Sequence, residues 1–214
     1  MIAAIDPVFM NELAHGGLKD SGTALGRLVN ENTEGTVTDD ELFSFAMLLL
    51  AAGNETTTNL LGGMFDTFTR NPEQYRIIRE NPNLFPMAVE EQLRYSTPIQ
   101  HLYRNTVQDY AVGGVTIPAG SRVLMSFGAA NCDPSVFDNP DDYVADRNPR
   151  MHVAFGYGAH MCIGAPLARL EAQAVLRELV ENVARVEALG DTTWSANASL
   201  RGQVHLRVKL HTRE

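Results

Sequence analysis

A short glycine-rich stretch around one cysteine constrains this chain more than any other feature. Residues 155–164 read FGYGAHMCIG, and a long apolar run that begins at Ala165 and Pro166 follows directly. The glycines allow positive φ angles and a close approach of another group to the backbone. The pattern predicts a loop that brings Cys162 to the N-terminus of a helix. Unpaired N–H groups and the helix dipole there stabilise a thiolate, the form of cysteine that binds metal.

Taken alone, the cysteine also has a second interpretation, as a buried structural residue beside a helix cap. A small metal site made of His160 and Cys162 is disfavoured, because zinc takes three or four ligands and the sequence offers no second pair. The other cysteine, Cys132, is interpreted as a packing residue. Two cysteines in 214 residues are too few for a disulfide-built secreted domain, and a thiolate ligand needs a reduced thiol, so we expect a cytoplasmic protein.

Charge and hydropathy exclude two classes of partner. The formal net charge of -9 argues against nucleic acid, because phosphate binding needs clustered Lys and Arg. No apolar run reaches the roughly 18 residues that a membrane helix needs. The first 17 residues contain acids and lack a basic start, so they are not expected to be a signal peptide.

A long helix is predicted from a capping box at Thr38 and Glu41 to about Arg70, where Asn71 and Pro72 stop it. At 1.5 Å per residue it would be roughly 45–50 Å long. Its apolar residues fall on more than one face, which predicts burial. The polar sequence AAGNETTT at residues 51–58 interrupts it, and a glycine inside a helix costs about 1 kcal/mol. Two helices with a linker and one helix with a functional kink both fit, but the apolar pattern resumes at once and favours one helix.

The rest of the chain predicts a mainly α protein with a minor β-sheet. Two modest helices are expected within residues 1–36, ending in a polar loop at 31–35, and further helices at 72–80, 86–95 and 165 to about 184. The last of these is apolar nearly all round, so we expect it to be buried. Strands are predicted at residues 103–107, 109–112, 115–117, 121–126, 199–200 and 204–210, with a hairpin turn at Gly113 and Gly114.

The cysteine stretch resembles the haem-binding loop of the cytochromes P-450, the haem-thiolate monooxygenases. Every element of that family's pattern is filled, by Phe155, Gly156, Gly158, His160, Cys162 and Gly164. The resemblance implies that haem b (iron protoporphyrin IX) is held through Cys162 as the axial ligand, in the C-terminal part of the cytochrome P-450 fold. It also implies that His160 and Arg104 pair with the haem propionates, although Arg104 could equally be a surface residue of its strand.

The interrupted helix resembles the oxygen-binding segment of the same family. Ala52, Gly53, Asn54, Glu55 and Thr56 match its pattern, with Glu in the position that Asp often takes. The resemblance implies that Ala52 and Gly53 leave space for dioxygen. It implies further that Glu55 and Thr56 deliver protons during oxygen activation.

Two weaker patterns occur in the family's order before the cysteine. Glu91 and Arg94 are three residues apart and therefore on one helix face, a spacing that surface ion pairs also show. The run from Phe137 through Pro140 and Tyr143 to Arg147 matches a second pattern, which reads Phe-x-x-Pro-x-x-Tyr-x-x-x-Arg. The resemblance implies that Glu91, Arg94 and Arg147 form a buried network that braces the cysteine loop.

The resemblance implies a monooxygenase that inserts one atom of dioxygen into a small apolar organic substrate, with electrons from a ferredoxin and its NAD(P)H-dependent reductase. Residues expected by position to line the substrate pocket are Leu48, Ala51, Ala52, Ile99 and His101. The resemblance covers essentially the whole chain but only about the C-terminal half of the family's fold. Residues 1–214 are therefore expected to be one C-terminal portion of a haem domain, without its N-terminal half. The alternative is a truncated, non-catalytic fragment that cannot hold haem alone.

Overall fold

The computed structural model describes residues 2–19, 21–32 and 35–213 of the chain. The chain divides into two compact units, Met1–Glu55 and Thr56–Glu214. The first unit contains the helices Ile2–Ala14 (α1) and Ala24–Glu31 (α2) and the beginning of the long helix Asp39–Arg70 (α3). The two helices expected within residues 1–36 are thus confirmed, while Thr33 and Glu34 of the predicted loop lie outside the described residues.

Local capping determines where α3 begins. The Thr38 N–H donates to Glu41 Oε2 at 2.8 Å, and the Glu41 N–H donates back to Thr38 Oγ1 at 3.3 Å. This reciprocal pair is the predicted capping box, and it satisfies two N–H groups that the helix itself cannot. The helix then continues without interruption to Arg70. The prediction of one helix rather than two is confirmed.

The prediction that α3 is buried along its length is wrong for its first half. Leu48 and Leu50 are 61% and 55% exposed, whereas Leu60, Met64 and Phe68 further along are fully buried. Among the described residues of the first unit, α1 and α2 are the only other helices that could cover α3. The sequence pattern predicted burial because apolar residues lie on several faces of α3. The neighbouring helices in this unit do not cover all of those faces.

The second unit contains four further helices and eight strands. The helices are Pro72–Glu80 (α4), Phe85–Ser96 (α5), Phe127–Ala130 (α6) and Ala165–Asn182 (α7). The strands are His101–Asn105 (β1), Tyr110–Val112 (β2), Val115–Ile117 (β3), Arg122–Ser126 (β4), Val183–Ala188 (β5), Thr193–Trp194 (β6), Gln203–His205 (β7) and Val208–Thr212 (β8). Short 3₁₀ turns lie at Pro82–Leu84 and Gly158–His160.

The strands form four separate antiparallel pairs: β1 with β4, β2 with β3, β5 with β8, and β6 with β7. The hairpin turn between β2 and β3 is confirmed, with positive φ at both Gly113 and Gly114. The single strand predicted at 204–210 is wrong. The alternating residues there divide into β7 and β8, which pair with β6 and β5, two strands that the sequence did not predict. Both partner strands lie outside the alternating segment, so its local pattern could not reveal the break.

The core of the second unit packs α4, α5 and α7 against the second half of α3. The Tyr75 hydroxyl on α4 lies 3.0 Å from both the Leu179 and the Val183 carbonyl oxygens, where α7 passes into β5. The prediction that α7 is buried all round is wrong. Ala172, Leu176 and Leu179 are buried, but Leu167 and Leu170 in its first two turns are exposed. The exposed end is the one that directly follows the cysteine loop.

Within the described residues, none of the helices combines the length and the hydropathy needed to cross a lipid bilayer.

Candidate functional site

The cysteine loop is held by its own backbone. Gly156 and Gly158 both have a φ of 70°, a left-handed conformation that other residues rarely adopt. The Cys162 N–H donates to the Phe155 carbonyl at 2.9 Å, which closes the loop. Helix α7 begins three residues later, with Gly164 as its N-cap. The backbone of the loop therefore fixes the position of Cys162 without help from other side chains.

Cys162 is a free, exposed thiol surrounded in sequence by exposed apolar side chains. The exposed apolar residues before and after it are Tyr157, Met161, Ile163, Leu167 and Leu170. Among the described residues no group of three or more His, Cys, Asp or Glu side chains could hold a metal ion without help. A single thiol can hold a metal only if the metal's other ligands come from a cofactor. In haem the porphyrin supplies these ligands and is largely apolar, so an exposed thiol with apolar neighbours fits a haem.

The two predicted propionate partners, His160 and Arg104, have no acidic side chain paired with them among the described residues. His160 is exposed at the end of the 3₁₀ turn in the loop. Arg104 lies on β1 opposite Val123, and its Nη1 donates to the adjacent Tyr103 carbonyl at 2.9 Å. No carboxylate among the described residues forms an ion pair with either side chain. Both remain available to an anionic ligand.

The predicted oxygen-binding residues lie on one uninterrupted stretch of α3. Ala51, Ala52, Gly53 and Glu55 are exposed, and Thr56 is half-buried. A Cβ added at Gly53 would meet nothing within 4 Å, so no side chain of the chain itself requires a glycine there. Glu55 ends the first unit and Thr56 begins the second.

Two of the expected pocket residues are close to the C-terminal tail. Ile99 forms an isolated bridge with Leu200, and His101 Nε2 lies 3.2 Å from Ser199 Oγ. A cleft of about 390 Å³ lies beside them, and its lining includes Gln100, Leu200 and Gly202. The other three expected residues, Leu48, Ala51 and Ala52, are exposed on the part of α3 that belongs to the first unit.

The structure brings Glu91, Arg94 and Arg147 together in one buried network. Arg94 Nε and Nη2 donate to the two Glu91 carboxylate oxygens at 2.8 Å each, and Arg147 Nε donates to Glu91 Oε1 at 2.9 Å. The side chains of Glu91 and Arg94 are 0% exposed, and that of Arg147 is 12% exposed. The pair is therefore not the surface ion pair that its spacing also allowed.

Arg94 uses all five of its guanidinium N–H donors. Besides the two bonds to Glu91, it donates to the carbonyls of Asn131 and Pro140 at 2.8 Å and of Asp142 at 3.0 Å. Burial by itself lowers the pKa of Arg94, but hydrogen bonds and charge from Glu91 outweigh it and raise that pKa. The irregular segment between α6 and the cysteine loop is thus attached to α5 through its backbone carbonyls.

A second charged cluster, which the sequence analysis missed, lies on the neighbouring residue of α5. Arg169 Nε and Nη2 bind Glu90 Oε1 and Oε2 at 2.6 and 2.9 Å, and His152 Nε2 lies 2.8 Å from Glu90 Oε2. The doubled acid at Glu90 and Glu91 was the available signal. Its two partners, His152 and Arg169, are 62 and 79 residues further along, so spacing could not have found them.

The cluster strongly favours the ionised form of Glu90. Burial alone would raise the pKa of its carboxyl group, but the hydrogen bonds and charges of His152 and Arg169 lower it to about 2. The carboxylate side chain is 24% exposed, so solvent screens these interactions only in part.

Comparison with known proteins identifies the family. The family model described as cytochrome P-450 matches residues 22–188. The beta-dihydromenaquinone-9 omega-hydroxylase of Mycobacterium tuberculosis is 48% identical over 197 residues, which are 92% of this chain and 40% of that protein. The 6-deoxyerythronolide B hydroxylase of Saccharopolyspora erythraea is 39% identical over 186 residues, 85% of this chain and 46% of that protein.

Solved structures agree with this assignment. The tirandamycin C-bound P-450 monooxygenase TamI aligns with a TM-score of 0.89 at 34% identity, over 98% of this chain and 54% of that one. CYP109E1 from Bacillus megaterium in complex with corticosterone aligns with a TM-score of 0.91 at 30% identity, over 98% and 57%. The chain belongs to the cytochrome P-450 superfamily, so the resemblance and the predicted fold class are confirmed. It spans 40% of the mycobacterial hydroxylase.

The Arg94 network yields a first prediction, for the complete protein that contains this chain. Arg94→Ala leaves Glu91 buried with one cation fewer and removes hydrogen bonds to three carbonyls. Breaking a buried pair on one side typically costs about 3–5 kcal/mol. We expect a loss of this size in the free energy of unfolding, measured by urea denaturation, and a fall in haem bound per polypeptide.

The matched control is Arg76→Ala, which removes an exposed arginine paired with Glu73 and Glu80 on the surface of α4. An exposed pair is worth about 0–1 kcal/mol. A cost at Arg94 as small as that at Arg76, with normal haem content, would contradict the bracing role.

The lowered pKa of Glu90 yields a second prediction, about acid. The carboxyl group has a lower pKa folded than unfolded, so its contribution to stability is complete above its ordinary pKa of 4.5 and is lost as the pH falls toward about 2. We expect Glu90→Gln to lower the free energy of unfolding at neutral pH by up to about 3 kcal/mol. The difference from the parent should shrink steadily as the pH falls below 4.5, in urea titrations at a series of pH values.

Glu73→Gln is the control, because the Glu73 side chain is 67% exposed in its pair with Arg76. A difference between Glu90→Gln and the parent that stays constant with pH would show that the carboxylate charge does not provide the stabilisation.

Proposed function

We propose that this chain is one C-terminal portion of the haem domain of a cytochrome P-450 monooxygenase. The reaction inserts one oxygen atom from dioxygen into a small apolar organic substrate, and the other atom leaves as water. The observation that carries the proposal is the exposed Cys162 thiol on a backbone-fixed loop at the start of α7. The hydroxylase and monooxygenase names of relatives that match 92% and 98% of the chain support it.

The residues proposed to hold haem b are those around the cysteine loop. Cys162 would bind the haem iron through its sulfur, and Phe155, Gly156 and Gly164 would shape the loop that presents it. His160 and Arg104 would donate to the propionates as charge-assisted hydrogen-bond donors. When bound, a thiolate-ligated haem activates dioxygen with two electrons, and the thiolate favours cleavage of the O–O bond.

Two neighbouring residues of α3 are proposed to move protons. The exposed Glu55 carboxyl group can exchange protons with water, and the half-buried Thr56 hydroxyl can pass one on from its Oγ1. General acid–base assistance of this kind contributes roughly 10²–10⁴ in rate. Ala52 and Gly53, one turn earlier, present little side chain and would leave room for dioxygen.

The substrate and partners follow from the same proposal. Leu48, Ala51 and Ile99 would give the pocket an apolar lining, and His101 would add one polar group. Electrons would come from a ferredoxin and its NAD(P)H-dependent reductase, in the cytoplasm. The relative that acts on a dihydromenaquinone and the structure that contains corticosterone support an apolar organic substrate.

The second candidate is a non-catalytic chain that cannot hold haem by itself. It is favoured by a specific observation: the apolar residues Tyr157, Ile163, Leu167 and Leu170 are all more than half exposed beside Cys162. Large apolar side chains that are exposed this close together in the chain usually contact another group. The haem itself and further chain beyond these 214 residues could both supply that contact.

The ligand proposal gives a third prediction. In the complete protein, Cys162→Ser removes the only proposed axial sulfur, so we expect loss of the thiolate-type Soret band in the reduced, carbon-monoxide-bound state. Cys132→Ser is the matched control, since Cys132 is also a free thiol but is half-buried. Retention of the band in Cys162→Ser would refute the assignment. The same spectrum from the 214-residue chain titrated with haem separates the two candidate functions, because the second predicts no such band.

The proton-delivery proposal gives a fourth prediction. Thr56→Ala in the complete protein should bind substrate normally but release reduced oxygen as hydrogen peroxide, because the hydroxyl that passes on protons is gone. We expect the product formed per NAD(P)H consumed to fall at least several-fold, with the roughly 10²–10⁴ of acid–base assistance as the upper limit of the effect. Thr58→Ala, on the same helix, is the control. An unchanged ratio of product to NAD(P)H in Thr56→Ala would exclude the role.

A further inference from the structure

The second charged cluster connects α5 to the cysteine loop through one aromatic side chain. The Arg169 guanidinium, fixed by two hydrogen bonds to Glu90, lies over the Phe155 ring with its Cζ 4.6 Å from the ring centroid. The carbonyl of the same Phe155 accepts the Cys162 N–H at 2.9 Å. A planar guanidinium that is bound bidentately and stacked on a ring has little freedom left. Arg169 therefore restricts the movement of Phe155, to which the Cys162 backbone is hydrogen-bonded.

His152 holds the same aromatic residue from the preceding segment. Its Nε2 contacts Glu90, and its Nδ1 accepts the Ala154 N–H at 3.2 Å. Its ring centroid lies 6.3 Å from that of Phe155. With Nδ1 as an acceptor, Nε2 carries a proton that can be donated to Glu90. Glu90 thus orients Arg169 and His152, two side chains that lie beside the Phe155 ring.

The positive charge of Arg169 also lies near the cysteine loop, because the ring that it covers belongs to Phe155, whose carbonyl accepts the Cys162 N–H. The Arg169 and Glu90 side chains are 31% and 24% exposed, so the field of the pair is only partly screened by solvent. A cation near a sulfur stabilises the thiolate and withdraws electron density from it.

The Arg94 network reaches the loop by a different route. Asn131, which is fully buried, accepts the Val153 N–H at 2.7 Å and offers its own carbonyl to Arg94. That connection holds the segment just before the loop, and among the described residues no hydrogen bond or ion pair joins Arg94 or Asn131 to Phe155 or Cys162. The two adjacent glutamates of α5 therefore act on different parts of the segment.

We propose that Arg169, held by Glu90, is a positioning residue for Cys162, which it acts on by stacking on Phe155 and by its charge. The inference rests on the proposed role of Cys162 as the haem ligand. It assigns two separable effects to one side chain. Stacking fixes the geometry of the loop, and charge sets how strongly the sulfur donates electrons to whatever it binds.

The test uses the haem-loaded complete protein and two readouts other than turnover: the lifetime of the thiolate-type Soret band in the reduced, carbon-monoxide-bound state, and the one-electron reduction potential. Arg169→Lys keeps the charge but loses the planar fork, so the lifetime should fall about fivefold while the potential stays near that of the parent. Arg169→Gln also loses the charge, so the potential should fall as well, by about a tenfold change in the reduction equilibrium, or 59 mV.

Glu90→Gln supplies the sharpest comparison, because it leaves the Arg169 cation without its neutralising partner. The potential should then rise, opposite in sign to the change in Arg169→Gln. Loosening of the fold alone cannot produce shifts of opposite sign in the two halves of one ion pair. Arg76→Gln, in the exposed cluster on α4, should change neither readout.

The outcomes separate this inference from the proposed function. If Cys162→Ser keeps the thiolate-type band, the ligand assignment fails and the inference fails with it. If that band is lost but both Arg169 variants and Glu90→Gln keep lifetimes and reduction equilibria within about twofold of the parent, the positioning role alone is overturned. Should Arg169→Gln fail to load haem, Arg169→Lys and Glu90→Gln decide the question, and failure of both to load would also overturn it in favour of a purely structural role.

Discussion

Two adjacent carboxylates on α5, Glu90 and Glu91, organise the part of the structure that surrounds the cysteine. An ionised carboxylate removed from water is costly unless cations and hydrogen-bond donors surround it. Each of these two has a pair of basic partners, Arg94 and Arg147 for Glu91 and His152 and Arg169 for Glu90. Three of the four lie on later segments of the chain. Folding of those segments onto α5 therefore supplies the charges that make burial of the helix possible.

The two carboxylates lead to different parts of the fold. Through Arg94 and Arg147, Glu91 is connected to backbone carbonyls in a stretch of chain that has almost no regular secondary structure. The carbonyls of such a stretch have no partners in a helix or a sheet. The guanidinium groups of Arg94 and Arg147 donate to them instead. Glu90 is connected instead to the residues on either side of the cysteine loop. A loop that must present a reactive thiol at the surface is thereby fixed from beneath without covering the thiol.

The two long helices, α3 and α7, are buried unevenly along their lengths. α7 is buried where it packs on α5 and exposed at Leu167 and Leu170, close in sequence to Cys162. α3 is buried over Leu60, Met64 and Phe68 and exposed over Leu48 and Leu50. Both helices therefore have apolar side chains that no other described residue buries. A haem and the remaining length of a P-450 chain are the partners that we propose for these surfaces.

The sequence by itself determined the local features. The capping box of α3, the hairpin at Gly113 and Gly114, the start of α7 after the glycine-rich loop and the family itself all follow from residues close together in the chain, because short-range hydrogen bonding and backbone conformation decide them. Only the tertiary structure decided which apolar faces are covered, how residues 203–212 divide between two strand pairs, and that His152 and Arg169 meet at Glu90. These depend on contacts between segments far apart in the chain, such as Glu90 with Arg169, 79 residues apart, and Tyr75 with Val183, 108 residues apart. No periodicity in a single sequence records such contacts, since many alternative partners would satisfy the same charges and the same apolar surfaces.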